Sequence, residues 1–152
     1  MITYKLQARN QSEYMVTLDE KLIYYAIRKE SFTGDKVLFY NSDKKLIATS
    51  KHRYFLIIGF GHKVQFINEQ FSRVVRISKA RFTLLYGNEA YSLVYNLFSM
   101  DNRLYLNGEE EGNFKIINQT NLTYQGEFCC NSEISCRIFT MLYIIQDWFT
   151  FG

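Results

Sequence analysis

The sequence predicts an all-β protein with one C-terminal helix, folded as a closed barrel of about twelve antiparallel strands around a central buried helix. Three observations favour this fold class. Phe and Tyr, which suit pleated and half-buried surfaces, number 13 and 12 among 152 residues. Short apolar segments alternate with turn residues, as in barrels and sandwiches. The last segment of the chain is a long apolar stretch without a polar face.

Twelve segments between residues 2 and 130 are expected to form strands, because each is rich in β-branched or aromatic residues. The predicted strands are residues 2–8, 22–28, 36–40, 45–49, 53–58, 63–67, 73–78, 81–86, 90–98, 103–106, 113–117 and 122–129. Asn41 to Lys44 has the residue types of a tight turn. Asn107 and Gly108 are a hairpin signal, but three glutamates follow, so we expect a longer, solvated loop there.

The helix is predicted over about residues 132–150. A surface helix needs one polar face, and residues 134–149 are apolar nearly all the way round, so the strands are expected to wrap this helix. Asn131 or Ser132 can cap its N-terminus. Arg137, Gln146 and Asp147 should lie near the barrel mouths or be paired, because a buried unpaired charge is costly.

Length and composition indicate one barrel domain over residues 1–152. The chain has no proline, and its N-terminus lacks the apolar region of a signal peptide, so a cytoplasmic protein is expected. Three cysteines, at 129, 130 and 136, form neither a disulfide framework nor a zinc motif. We therefore expect reduced, buried thiols and no metal site.

Charge is unevenly distributed along the chain. Residues 36–81 carry ten basic and two acidic side chains, whereas residues 82–152 carry three basic and eight acidic ones. A basic surface attracts phosphate groups, although neighbouring strands can also compensate each other in the fold. The candidate residues for binding an anion or a lipid are Lys44, Lys45, Lys51, Arg53, Arg73, Arg76, Lys79 and Arg81.

Catalytic motifs are not found. The two histidines, His52 and His62, lie in no recognisable context, and no G-x-S-x-G or phosphate-binding loop occurs. A Cys129–His62 pair is conceivable, but nothing in the sequence supports the contact. The expectation is a protein that is not an enzyme, with no cofactor and no catalytic residue.

Two apolar hairpin segments and the terminal helix together carry a resemblance to a known family. Residues 38–47 and 97–105 each run from a strand end through an Asp-centred turn and a basic residue into a new strand. With residues 134–149 as a closing helix, the chain resembles the tubby C-terminal-like superfamily, which includes tubby proteins, LURP-one-related proteins and phospholipid scramblases. The resemblance implies a closed barrel around a C-terminal helix. In tubby proteins basic surface residues bind phosphoinositides, but no binding residue can be matched here.

The sequence therefore favours a binding or scaffold module whose basic outer surface contacts anionic lipid headgroups or a protein partner, peripheral to the membrane. Nucleic acid is not the expected partner, and the oligomeric state stays open. One alternative is a lipocalin-like carrier, which needs an open lumen and a helix outside the barrel. Another is a pleckstrin-homology-like domain, which uses fewer strands than this chain supplies.

Overall fold

The computed structural model describes the backbone of residues 1–55, 58–59, 62–67, 71–78, 81–95, 102–120 and 123–151. Side chains are described over residues 1–52, 63–67, 73–74, 81–95, 102–117 and 123–147. The strands are β1 (Ile2–Arg9), β2 (Glu13–Leu18), β3 (Lys21–Ser31), β4 (Gly34–Asn41), β5 (Leu46–Phe55), β6 (Ile58–Gly59), β7 (His62–Phe66), β8 (Phe71–Ser78), β9 (Arg81–Tyr86), β10 (Glu89–Val94), β11 (Asn102–Leu106), β12 (Glu109–Thr120) and β13 (Thr123–Cys130). One helix follows, α1 (Glu133–Phe151).

Twelve of these strands close into a ring. Each strand pairs antiparallel with its neighbours in the chain, β7 pairs with β5, and β1 pairs with β13. The short β6 is added beside β5 and is not part of the ring. The predicted closed barrel of antiparallel strands is confirmed. Its strand number also separates it from the smaller pleckstrin-homology-like barrel.

The barrel has two distinct ends. At one end lie the turns at residues 19–20, 42–43, 87–88 and 107–108, together with the start of α1, and we call it the entry end. At the other end lie the turns at 10–12 and 32–33, and we call it the exit end. Cys136 contacts the Ile2 carbonyl near the first end, and Asp147 contacts Tyr14 near the second. The helix therefore runs through the barrel from the entry end to the exit end.

The helix is enclosed by the strands as predicted. Ten consecutive residues, 138–147, are buried, so every side of these turns is covered. Ser132 caps the helix, since its Oγ accepts a hydrogen bond from the Ser135 amide at 3.2 Å. Arg137 is exposed, because the first turn lies at the barrel mouth. A lipocalin-like carrier has its helix outside the barrel, and this helix instead occupies the interior.

Aromatic side chains fill the space between the helix and one side of the wall. The Tyr143 ring packs against Phe114 at 5.6 Å and Phe128 at 5.4 Å between ring centroids. It also packs edge-on against Tyr124 at 6.2 Å. These contacts join α1 to β12 and β13, so the strand register and the position of the helix depend on each other.

Two strand predictions were wrong. The strand β2 was missed, because its flanking turns contain no glycine or proline and instead place Asn10, Gln11, Asp19 and Glu20 at positive φ. Residues 45–49 and 53–58 were predicted as two strands, but Leu46–Phe55 is one continuous strand. The two errors offset each other in the strand count.

The turn between β11 and β12 is also shorter than predicted. Leu106 pairs directly with Glu109, so only Asn107 and Gly108 connect the strands. Both have positive φ, at 53° and 84°, as a type I′ hairpin turn requires. The glutamates that follow belong to β12, because exposed strand positions accept charged side chains. Of the two similar hairpin segments, 38–47 and 97–105, the second includes residues 97–101, which lie outside the described residues.

Candidate functional site

Five basic side chains form a continuous row across the outer wall of the barrel. In the strand register each is the direct partner of the next along five neighbouring strands, β3, β4, β5, β7 and β8. We call these residues the cation row: Lys29, Lys36, Lys51, Lys63 and Arg73. All five are exposed. The row exists because side chains alternate across a strand, so residues in register share one face.

The inward-facing positions beside the row confirm this alternation. The residue next to each cation is buried, with Val37 and Val64 at 1% and 0% exposure. Neighbouring strands lie about 4.8 Å apart, so the five charges extend over roughly 19 Å. Among the described side chains, none of the five forms an ion pair. The row is therefore a concentrated positive strip without an ion pair in the described part of the chain, and the exposed acid beside it is Glu30, next to Lys29 on β3.

The next outward-facing positions on the same strands are less polar than the row. Ile27, Leu38 and Thr49 are partners of one another in the register and lie beside Lys29, Lys36 and Lys51. Each of the three is buried or half-buried. A strip of cations beside a partly apolar strip suits a ligand with both charged and apolar parts.

The structure separates the sequence-predicted site residues into groups. Lys51 and Arg73 belong to the cation row. Lys44 and Lys45 are exposed at the β4–β5 turn of the entry end, away from the row. Arg81 is exposed at the start of β9, at the exit end. Arg53 and Arg76 lie on β5 and β8, but their side chains, like the whole of Lys79, are outside the described residues.

Sequence reasoning missed three members of the row. Lys36 and Lys63 were counted as part of the basic segment but not as site residues, and Lys29 lies before that segment. The clusters were grouped by closeness along the chain, whereas the row is built by pairing between strands. One pair could have been predicted from the sequence. Lys29 and Lys36 lie at equal distances on either side of the turn at residues 32–33, so a hairpin there makes them register partners.

Acidic side chains collect at the entry end. The turns there, the strand starts beside them and the first turn of the helix carry exposed carboxylates. They are Asp19, Glu20, Asp43, Glu89, Glu109, Glu110 and Glu133. The entry end therefore carries seven exposed carboxylates beside four exposed cations, Lys21, Lys44, Lys45 and Arg137, whereas the cation row lies on the wall.

A second polar cluster lies inside the barrel. The Arg28 guanidinium donates hydrogen bonds to the Asp35 carboxylate and to the Ile144 carbonyl, and it lies 3.4 Å from the Ile145 carbonyl. The His52 Nδ1 atom lies 3.5 Å from the same carboxylate. The side chains of Arg28, Asp35 and His52 are 0%, 6% and 5% exposed. Their contacts connect β3, β4 and β5 to the helix.

Asp147 is the other buried acid of the interior. Its carboxylate accepts a hydrogen bond from the Tyr14 hydroxyl at 2.8 Å. Burial raises the pKa of Asp147, although hydrogen bonds from Tyr124 and Tyr14 and the charge of Arg28 oppose this rise. Two further bonds join helix and wall, from Tyr24 to Thr140 and from Gln146 to the Tyr95 hydroxyl, both at 2.6 Å. Gln146 and Asp147 are thus paired, as expected.

The interior cluster combines a histidine with a carboxylate, which is a common catalytic pair. In this protein both side chains are buried, and their neighbour Arg28 donates a hydrogen bond to a helix carbonyl. Their observed contacts instead fix the helix in the barrel. The prediction that the protein is not an enzyme stays a prediction.

The cysteines lie near the entry end. Cys130 and Cys136 are buried, and Cys129 is half-buried with its Sγ 3.3 Å from the Thr3 hydroxyl. The hydrogen bond to Cys136, together with burial, raises the pKa of the Cys130 thiol. The side chain of His62, the conceivable partner of Cys129, is outside the described residues. In the described part of the chain, no three His, Cys, Asp or Glu side chains are grouped to hold a metal.

Comparison with family models, with curated proteins and with solved structures gives no match. Within the described residues, no helix has the length and apolar character to span a bilayer.

Proposed function

We propose that this protein is a non-enzymatic binding module that docks on anionic lipid headgroups through the cation row. The observation that carries the proposal is the register of Lys29, Lys36, Lys51, Lys63 and Arg73 on one outer surface. Like charges directly opposite each other on neighbouring strands destabilise a sheet. Five successive cations that form no ion pair with an acid are explained by an anionic ligand that neutralises them.

An anionic membrane surface fits the row better than a single small anion. Each Lys or Arg near such a surface contributes about 1 kcal/mol of attraction, so several contacts together give useful affinity. The row extends over roughly 19 Å, which is the width of several headgroups rather than one. We accordingly place the protein in the cytoplasm, peripheral to the membrane.

The resemblance to the tubby C-terminal-like superfamily adds support of a different kind. A ring of twelve strands around a C-terminal helix is the architecture that this resemblance implies. Tubby proteins bind phosphoinositides through basic residues on the barrel surface. We propose the same class of ligand for this chain, with the cation row as the surface and without carrying over any tubby residue.

Two double variants with the same net charge test the proposal. The variant Lys36→Gln/Lys51→Gln removes two charges from the row, and Lys44→Gln/Lys45→Gln removes two from the entry end. In co-sedimentation with phosphatidylserine-containing vesicles we expect the first to bind about tenfold more weakly or worse. The second should stay within about twofold of the wild type, because its lysines lie away from the row.

Salt dependence provides the second readout. Binding of the wild type should weaken steeply as the ionic strength rises from about 0.05 to 0.3 M, since screening shortens the reach of the charges. Equal losses in the two double variants would contradict a role for the row. Absence of salt-sensitive binding to anionic vesicles would contradict the lipid proposal as a whole and leave a protein partner as the alternative.

A further inference from the structure

We infer that Phe32, at the tip of the β3–β4 hairpin, inserts into the bilayer next to the headgroups that the cation row binds. Phe32 is 99% exposed, the highest exposure among the large apolar side chains that the structure describes. It lies in the turn at residues 32–33, at the exit end of the barrel. This inference rests on the proposed function and adds a second contact to it.

The hairpin presents Phe32 on a rigid support. The β3–β4 register continues to the last pair before the turn, Ser31 with Gly34. The Ser31 hydroxyl donates a hydrogen bond to the Gly34 carbonyl at 3.0 Å across the base of the turn. Below the tip, Arg28 and Asp35 connect the same two strands to each other and to the helix. A phenylalanine at such a tip stays fully hydrated unless another apolar phase covers it.

The spacing between Phe32 and the row matches the layers of a membrane surface. Lys29 lies three residues from Phe32, and Lys36 is its register partner, so their Cα atoms are about 10 Å below the tip along the strand. Strand tilt in a barrel shortens this depth to about 7–8 Å. The headgroup region on each side of the hydrocarbon core is about 5–8 Å thick. A phenyl ring at the edge of the acyl chains thus places both lysines at the level of the phosphates.

The distribution of charge favours the same orientation. The exposed carboxylates of the entry end lie at the opposite end of the barrel from Phe32. Near the tip, Glu30 is the exposed acid of the hairpin, and it is flanked by Lys29, Lys36 and the rest of the row. At the entry end seven exposed carboxylates outnumber four exposed cations, Lys21, Lys44, Lys45 and Arg137, so an anionic surface would favour the exit end. A protein pocket of apolar character is the competing occupant, and the experiment separates the two.

The test compares Phe32→Ala with Ile134→Ala, which shortens an apolar side chain that is 66% exposed at the entry end. Both sites are exposed, so both variants should fold. We expect Phe32→Ala to weaken binding to phosphatidylserine vesicles about tenfold or more, and Ile134→Ala to leave binding unchanged. In Phe32→Trp, the emission of the new tryptophan is obtained by subtracting the wild-type spectrum, which contains Trp148. We expect this emission to shift to shorter wavelength when vesicles are added. Soluble glycerophosphoserine should give no such shift.

The outcomes distinguish insertion from headgroup binding. Wild-type affinity in Phe32→Ala, with unshifted emission in Phe32→Trp, would overturn insertion while salt-sensitive binding through the row still stood. An equal blue shift with glycerophosphoserine would also overturn it, because no acyl phase is then involved. A wild-type protein that fails to bind anionic vesicles would overturn the proposed function and the insertion together.

Discussion

At the scale of single residues, the buried charges decide how the helix is held. Arg28 has its charge matched by Asp35, and its Nη2 donates a hydrogen bond to the Ile144 carbonyl of the helix. The sequence could not reveal this, because Arg28 is the last residue of the predicted strand 22–28, which is otherwise rich in Ile and Tyr. By contrast, the sequence does predict that Asp147 needs a polar partner, because an acid in a buried apolar helix is costly when it is unpaired. Only the fold supplies the identity of that partner, Tyr14.

Removing the arginine should strongly destabilise the fold. In Arg28→Met the Asp35 carboxylate stays buried without its guanidinium, and loss of one partner of a buried pair costs about 3–5 kcal/mol. Urea unfolding measures the change. The double variant Arg28→Met/Asp35→Asn should recover much of the loss, because the Asp35 charge is removed together with its partner; Asp147 still loses the nearby charge of Arg28. Additive losses in the double variant would show that the two side chains do not act as a pair.

Asp147 should make stability depend on pH. Burial raises its folded pKa above the ordinary value of 3.8. Its contribution to stability is therefore fully present below about pH 4 and is lost as the pH rises through the folded pKa. Asp147→Asn keeps an acceptor for Tyr14 and removes the charge. We expect the variant to match the wild type near pH 4 and to be the more stable protein at pH 7, as measured by urea midpoints. A constant difference across this range would contradict the assignment.

At the scale of elements, the sequence predicted those whose signal is local. The helix, its serine cap and most strands follow from apolar patterning and turn residues. The missed β2 strand and the tight Asn107–Gly108 turn have different causes. The turns on either side of β2 contain no glycine, because Gln11 and Glu20 adopt positive φ there. The three glutamates after Gly108 indicate a solvated loop by composition, although β12 begins with them. The Asn-Gly pair was a correct local signal that the glutamate run outweighed, whereas the turns around β2 carry no such signal.

The close approach of two strands also requires a glycine at one position of β12. A Cβ atom at Gly112 on β12 would lie 1.9 Å from the Cys129 carbonyl oxygen, which is part of the backbone of β13. At Gly126 the nearest atom is the Ile116 Cδ1 at 3.2 Å, and a side chain can move. We expect Gly112→Ala to destabilise the barrel by several times more than Gly126→Ala in thermal unfolding. Equal midpoints for the two variants would contradict the close approach of β12 and β13.

At the scale of the whole molecule, the cation row is expected to lower the stability of the free protein and to provide its affinity for anionic lipid. Each cation is opposite another, so screening by added salt should raise the unfolding midpoint of the free protein. Lys51 has Lys36 and Lys63 as its register partners, and Lys51→Glu turns two repulsions into attractions. We expect a gain of about 1 kcal/mol in stability and a smaller response to salt. Such a trade between stability and function is common where a surface serves a ligand.

The most direct test of the cation row is therefore the affinity of Lys51→Glu for phosphatidylserine vesicles, measured beside its unfolding midpoint. We predict a protein that unfolds at a higher temperature and binds more than tenfold more weakly, because its charge reversal interrupts the centre of the row. A variant that binds anionic vesicles as tightly as the wild type would contradict the claim that this row is the binding surface.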